Sequence, residues 1–228
     1  FAFPQDIHIL EHIDRLVEIF NACWPMYAAM PAVLKDAIER SYQKVGWDLR
    51  NSESEKGVFP TFFDLLDILP GVIEESHYSK DTQSDYVGAL CTRVKSLTNG
   101  IYGSVFCAED ALSDAELFDC NVVVDLSRVG SMETKSLLMG ILVMKLQEYR
   151  MCGSEMNSRL RHVTVLEEAH NLLRKTSAEQ LQEGANLQGK SVEMLANAIA
   201  EMRTYGEGFI IADQAPGLLD MSVIRNTN

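Results

Sequence analysis

The chain has 228 residues, 46% hydrophobic and 23% charged, enough to bury one large domain or a domain with a sizeable insertion. No run of about 18 apolar residues occurs, which argues against a membrane-spanning helix, and a net charge of −13 argues against a surface that coats nucleic acid generally, though a small basic loop could still touch phosphates. Five scattered cysteines (Cys23, Cys91, Cys107, Cys120, Cys152) with no C-x-x-C pair are expected as free thiols of a reducing, cytoplasmic protein. The first residue is Phe and no signal-peptide pattern follows, as expected of an internal piece of a longer protein.

From residue 5 to about 98 the spacing predicts helices. Ile9, Ile13, Leu16 and Phe20 fall on one helical face. In "MPAVLKDAIERSYQKVG", Pro31 suits a first turn, Leu34, Ile38 and Tyr42 share a side, and Gly46 is a stop. Residues 50–57, "RNSESEKG", form a polar loop. "PTFFDLLDIL" offers Thr61 as N-cap with Asp64 three residues on, and Pro70-Gly71 should end that helix. Val87, Leu90, Val94 and Leu97 mark another apolar face.

After Gly100 the pattern changes. "YGSVFCA" reads as a short strand, "CNVVVDLS" as one ending in Asp125, "RHVTVLEEAH" as one ending in Glu167-Glu168, and "GEGFIIADQ" as one ending in Asp213-Gln214. Each is apolar along its length, as central parallel strands covered on both faces are. Between them "METKSLLMGILVMKLQEYRM" reads as a buried helix, and Val192, Leu195, Ile199 and Met202 mark an amphipathic one. The alternation predicts an α/β fold with a doubly wound parallel sheet.

Residues 184–191, "GANLQGKS", fit G-x-x-x-x-G-K-[ST], the phosphate loop of nucleotide hydrolases. Such a loop leaves a buried strand and enters a helix, so that backbone N–H groups converge on phosphates. The preceding "RKTSAEQLQE" is polar and shows no strand. The context favours a look-alike, with Asn186 or Ser191 near a helix start.

"HVTVLEEAH" carries more. Ligands of open α/β sheets sit at the carboxyl ends of strands, where Glu167 and Glu168 fall. One of two adjacent carboxylates there can order Mg²⁺ through water, while the next orients or deprotonates the water that attacks a γ-phosphate. The plainer alternative is a solvated acidic loop. A rival takes Glu167-x-x-His170 as the iron motif of a carboxylate helix bundle. The β-branched lead-in and the lack of a second copy count against that, and His170 is expected as a structural hydrogen-bonder. Gln214, on a strand beside the acids, is where a γ-phosphate sensor would stand. Arg203 is either a cation at a helix C-terminus or an arginine finger.

The segments "VTVLEEAHNLL", "EMRTYGEGFIIADQAP" and "VIRNTN", together with "VVVDLS", resemble the C-terminal half of the HerA/FtsK-type ATPases, specifically the HerA-like (DUF87) branch. The stretch "HIDRLVEIFNACWPMYAAMPAVLKDAIE" is similar to the helical insertion of that family. The resemblance implies a partial RecA-like parallel sheet core over residues 101–228 with a large helical insertion over 1–100. It implies ATP and Mg²⁺ as cofactors, a homo-hexameric ring that hydrolyses ATP between subunits, and double-stranded DNA as the cargo moved. By motif position Glu167 is the Walker B acid that holds Mg²⁺ through water, Glu168 the catalytic glutamate, Gln214 the sensor and Arg203 the finger acting on a neighbouring subunit. Asn226 and Asn228 fall in the family's N-T-N element.

In that family the phosphate loop precedes the helical insertion, and nothing between Phe1 and Gly100 supplies one. The sequence therefore reads as cut at both ends and as an ATPase inactive on its own. Two other readings stand beside it: a catalytically silent assembly module that binds a partner nuclease or effector, and a helical metal protein.

Overall fold

Apolar spacing settles the first helix. In the computed structural model Ile9, Ile13, Leu16 and Phe20 are all buried on α1 (Ile9–Cys23). The structure describes residues 1–108, 111–153, 155–175 and 184–226, so Asn228 lies outside the described residues. The chain divides into two compact units, one of residues 1–17 and 28–111 and one of residues 18–27 and 112–228.

In the first unit α2 (Met30–Lys44) has Pro31 in its first turn and buries Leu34, Ile38 and Tyr42. Gly46, at φ +100°, follows its end. The expected polar loop is partly structured: β1 (Trp47–Asp48) pairs antiparallel with β2 (Glu53–Ser54). The Asp48 carboxylate turns the chain between them by accepting from the Arg50 amide at 2.9 Å and from Asn51 at 2.7 Å. Ser52 Oγ accepts from the Ile9 amide at 2.9 Å, satisfying a donor that the start of α1 leaves open.

Thr61 caps α3 (Phe62–Glu75) in a capping box with Asp64. Contrary to the sequence expectation, α3 does not stop at Pro70. Pro70 is exposed and its missing N–H forfeits one helical bond. Val72 and Ile73, one turn on, are buried and hold the last turn on the core.

Next come α4 (Lys80–Tyr86), a π-turn (Val87–Cys91) and α5 (Thr92–Leu97). The wider π-turn rephases the apolar face, so Tyr86 takes the buried place expected for Val87, above Leu90, Val94 and Leu97. "YGSVFCA", expected as a strand, lies instead in α6 (Gly100–Phe106). A short apolar run has no period to separate strand from helix, and here local bonds such as Cys107 N–H to Gly103 O at 3.0 Å win. The rings of Phe1, Phe3, Tyr42, Trp47, Phe59 and Phe62 cluster, with Trp47 stacked on Phe59 at 5.1 Å. Each fully buried apolar side chain of this size contributes about 1.5–3 kcal/mol.

The second unit holds the end of α1, then α7 (Asp114–Phe118), α8 (Met132–Gly153), β3 (His162–Glu167), α9 (Gly184–Met202), β4 (Glu207–Ala212) and α10 (Met221–Asn226). The interior of α8 buries Leu137, Val143, Met144 and Leu146, as expected. Val192, Leu195, Ile199 and Met202 of α9 are buried too. The strands β3 and β4 run parallel in register from His162 opposite Glu207 to Glu167 opposite Ala212, with α9 as the crossover.

Two expectations for the sheet are corrected. "CNVVVDLS" is no strand; Val122, Val124 and, at 93% exposure, Val123 face solvent. A strand exists only where a neighbour takes up its backbone bonds, and among the described residues none pairs with it. Nor are β3 and β4 covered on both faces. Val165 and Ile210, cross-strand partners, are 54% and 55% exposed, while Thr164, Leu166, Phe209 and Ile211 point to the more covered side. The described residues are mostly helical, with a small parallel sheet in the second unit.

Cys23 is buried in the second unit, and that burial, with the Glu133 charge adding to it, pushes its thiol pKa far up. Cys120 is exposed. A disulfide-exchange reagent acts on thiolate, so Cys120 should react first in native protein and Cys23 only after unfolding in urea. Equal native rates, resolved by mass spectrometry of the labelled peptides, would contradict the buried position.

Candidate functional site

The carboxyl ends of β3 and β4 lie side by side, because the parallel register sets Glu167 against Ala212. Everything that follows those residues therefore meets at one edge of the sheet. Glu167 is exposed and shares the open face with Val163 and Val165, since alternate residues of a strand point the same way. Among the described residues its carboxylate has no hydrogen-bond or ion-pair partner, so its oxygens are free to hold a hydrated cation.

Glu168 breaks the strand. Its backbone is left-handed, φ 52° and ψ 44°, a conformation that costs a residue with a Cβ about 1 kcal/mol. Its amide still donates to Ala212 O at 2.8 Å, so the two strand ends stay joined across the kink. A 3₁₀ turn (Ala169–Asn171) follows and buries Ala169, Leu172 and Leu173. The burial of that turn holds the strained residue in place. Backbone strain of this kind collects at functional sites.

Asp213, just beyond β4, is the anchor of the edge. Its side chain is almost fully buried. Oδ2 accepts from the His170 amide at 2.8 Å and Oδ1 from the Ala215 amide at 2.7 Å. His170 Nδ1 stands 2.9 Å from Oδ2 and 3.4 Å from Glu168 Oε2. Burial works against the Asp213 charge, but the two amides and the imidazole outweigh it and hold the carboxyl below its ordinary range.

Glu168, His170 and Asp213 lie close enough to suggest a metal centre. The hydrogen bonds argue otherwise. Both Asp213 oxygens already accept from backbone amides and face the imidazole, which leaves them little spare lone-pair capacity. His170 Nδ1 faces two carboxylates, which as acceptors favour the tautomer with the proton on Nδ1, and in that tautomer Nδ1 donates rather than ligates. His170 is thus a structural hydrogen-bonder.

Gln214 is exposed at the same edge as Glu167 and Glu168. Arg203 is not. It begins a 3₁₀ turn (Arg203–Tyr205) that enters β4, so it lies at the amino end of the sheet, one strand length or about 20 Å from the acids. It is exposed and makes no ion pair among the described residues. Within one chain the structure brings Glu167, Glu168 and Gln214 together and leaves Arg203 apart.

Residues 184–191 are helical throughout, the first two turns of α9. Their backbone is helical rather than curled into a loop around a phosphate. Ser191 Oγ donates to Glu18 at 2.6 Å and Gln188 donates to Ala22 O at 2.9 Å, while Lys190 is exposed. The side chain of Asn186 lies outside the described ones.

Sequence reasoning passed over Asp213, placing the weight on its neighbour Gln214. The only sequence signal was a polar pair closing an apolar strand. It also passed over Glu207, a carboxylate buried in the first residue of β4.

No protein family matches the sequence, and no curated protein does. Among solved structures, that of VirB4 from Thermoanaerobacter pseudethanolicus is similar, with a TM-score of 0.60 and 19% identity over 95% of this chain. The chain spans about half, 53%, of that VirB4 chain. At this identity the likeness shows a shared fold. No helix among the described residues is long and apolar enough to cross a membrane.

Proposed function

We propose that this chain carries the Walker B, sensor and arginine-finger elements of an ATP-hydrolysing, DNA-translocating motor of the HerA/FtsK type. The observation that carries the reading is the shared edge of β3 and β4, which gathers an exposed acid, a strained acid and an exposed glutamine. The fold held in common with VirB4, an ATPase-family fold, supports it.

Mg²⁺–ATP would supply the reactive γ-phosphoryl group and neutralise its developing charge. The free oxygen donors of Glu167 suit such a hard cation, held through water. Glu168 orients the attacking water and takes its proton at the carboxylate. Gln214 donates its amide to the γ-phosphate from the neighbouring strand. Arg203, a strand length away, serves the site of an adjacent subunit in a homo-hexameric ring, and the ring holds double-stranded DNA by its backbone. The phosphate loop that completes the site is not among the described residues.

In the intact protein Glu168→Gln should lower ATP turnover about 100-fold, the usual share of a general base, with ATP binding retained. Lys190→Ala, on the surface of α9, should bind Mg²⁺–ATPγS as the unaltered protein does in calorimetry. Undiminished turnover in Glu168→Gln sinks the assignment, and nucleotide binding lost in Lys190→Ala would return residues 184–191 to the phosphates.

A further inference from the structure

We propose that His170 is a positioning residue for Glu168, holding the carboxylate at the strand edge through Nδ1 while Asp213 fixes the ring. This rests on the ATPase reading above. Three facts converge on it. Glu168 leaves β3 in a left-handed kink that makes its side-chain direction unlike that of a strand residue. His170 Nδ1 carries the one proton available between two carboxylates, at 2.9 Å from Asp213 and 3.4 Å from Glu168. Asp213 is itself immobilised by two backbone amides, one of them that of His170.

The ring therefore has one orientation, set twice by the same carboxylate, through the backbone and through the imidazole. That fixed donor faces the partly exposed Glu168, whose carboxylate has no other partner among the described residues. The 3.4 Å approach is too long for a strong hydrogen bond and short enough for the N–H dipole to attract the carboxylate. Glu168 is thus steered without being neutralised, which is what a base that must accept a proton requires. Because Asp213 precedes Gln214 directly, the same ring ties the residue that senses the phosphate to the residue that attacks through water. A movement at the end of β4 is handed to Glu168 by a single hydrogen-bonded side chain.

The substitutions His170→Asn, His170→Gln and His170→Ala separate this role from plain support. Asparagine places an amide N–H close to the Nδ1 position; glutamine places one near Nε2. In the intact protein, ATP turnover, the KM for ATP and the melting temperature would be measured for each. The asparagine variant should keep kcat within about threefold of the unaltered protein, and the glutamine and alanine variants should fall about tenfold or more, with KM within about twofold. If alanine does not fold, the asparagine–glutamine pair still decides. Equal kcat in glutamine and asparagine variants overturns the positioning role while leaving the ATPase reading intact. A drop that follows melting temperature alone, with asparagine no better than alanine, also overturns it. Absence of turnover in the unaltered intact protein overturns the ATPase reading itself, and the positioning role with it.

Discussion

Glu207→Ala should lower the stability of the second unit by about 3–5 kcal/mol, the usual loss when one member of a buried charge pair is removed. The Glu207 side chain is 0% exposed at the first residue of β4. Its Oε2 accepts from Arg150 Nε at 2.9 Å, while Oε1 accepts from Thr164 Oγ1 at 2.6 Å and lies 2.8 Å from His162 Nδ1. Arg150, on α8 and itself buried, also donates to Asp119 at 2.7 Å and to the Phe118 carbonyl. One carboxylate thus joins β3, β4, α8 and the end of α7. Removing it leaves the guanidinium with only the exposed Asp119 to balance it, and orphans the Thr164 hydroxyl. The double change Arg150→Met with Glu207→Leu should recover most of the loss, because an apolar pair of similar volume bears no desolvation cost. Urea unfolding of the two single variants and the double variant closes the cycle. A cost below about 1 kcal/mol for Glu207→Ala would show that the network is not what fixes the amino end of the sheet.

Gly206→Ala should cost about 2–5 kcal/mol, in two separable parts. Gly206 stands at φ +85°, which costs any residue with a Cβ about 1–2 kcal/mol. An added Cβ would also meet Arg159 O at 2.4 Å, a backbone atom that cannot swing aside. Shifting that backbone adds about 1–3 kcal/mol. The position matters because Gly206 O accepts from the Arg161 amide at 2.8 Å and so aligns the lead-in of β3 with β4. Gly46 supplies the comparison. It has φ +100° with nothing within 4 Å of an added Cβ, so Gly46→Ala should show the backbone cost alone. If the two alanine variants shift the urea midpoint of their own units equally in energy, the close approach to Arg159 is not what demands glycine.

What could be read from the chain by itself was whatever depends on near neighbours. Helix bonds close within four residues, so the faces marked by Ile9–Ile13–Leu16–Phe20 and by Val192–Leu195–Ile199–Met202 were legible, as was the Thr61–Asp64 cap. The two strands that end in acidic or polar residues were legible too, because short apolar runs holding β-branched residues carry a strand signal. Tertiary structure decided the rest. Residues 102–108 and 120–127 looked like strands, but a strand needs a partner from elsewhere in the chain, and among the described residues neither segment found one. The acids at the edge of the sheet were visible, yet the pairing that orients them joins His170 to Asp213 across 43 residues, and the buried network at the other end joins Arg150 to Glu207 across 57. Arg203 and Glu167 were both marked, and only the direction of β4 put them at opposite ends. Nothing in local sequence encodes such distances; they follow from which surfaces fold together to leave water.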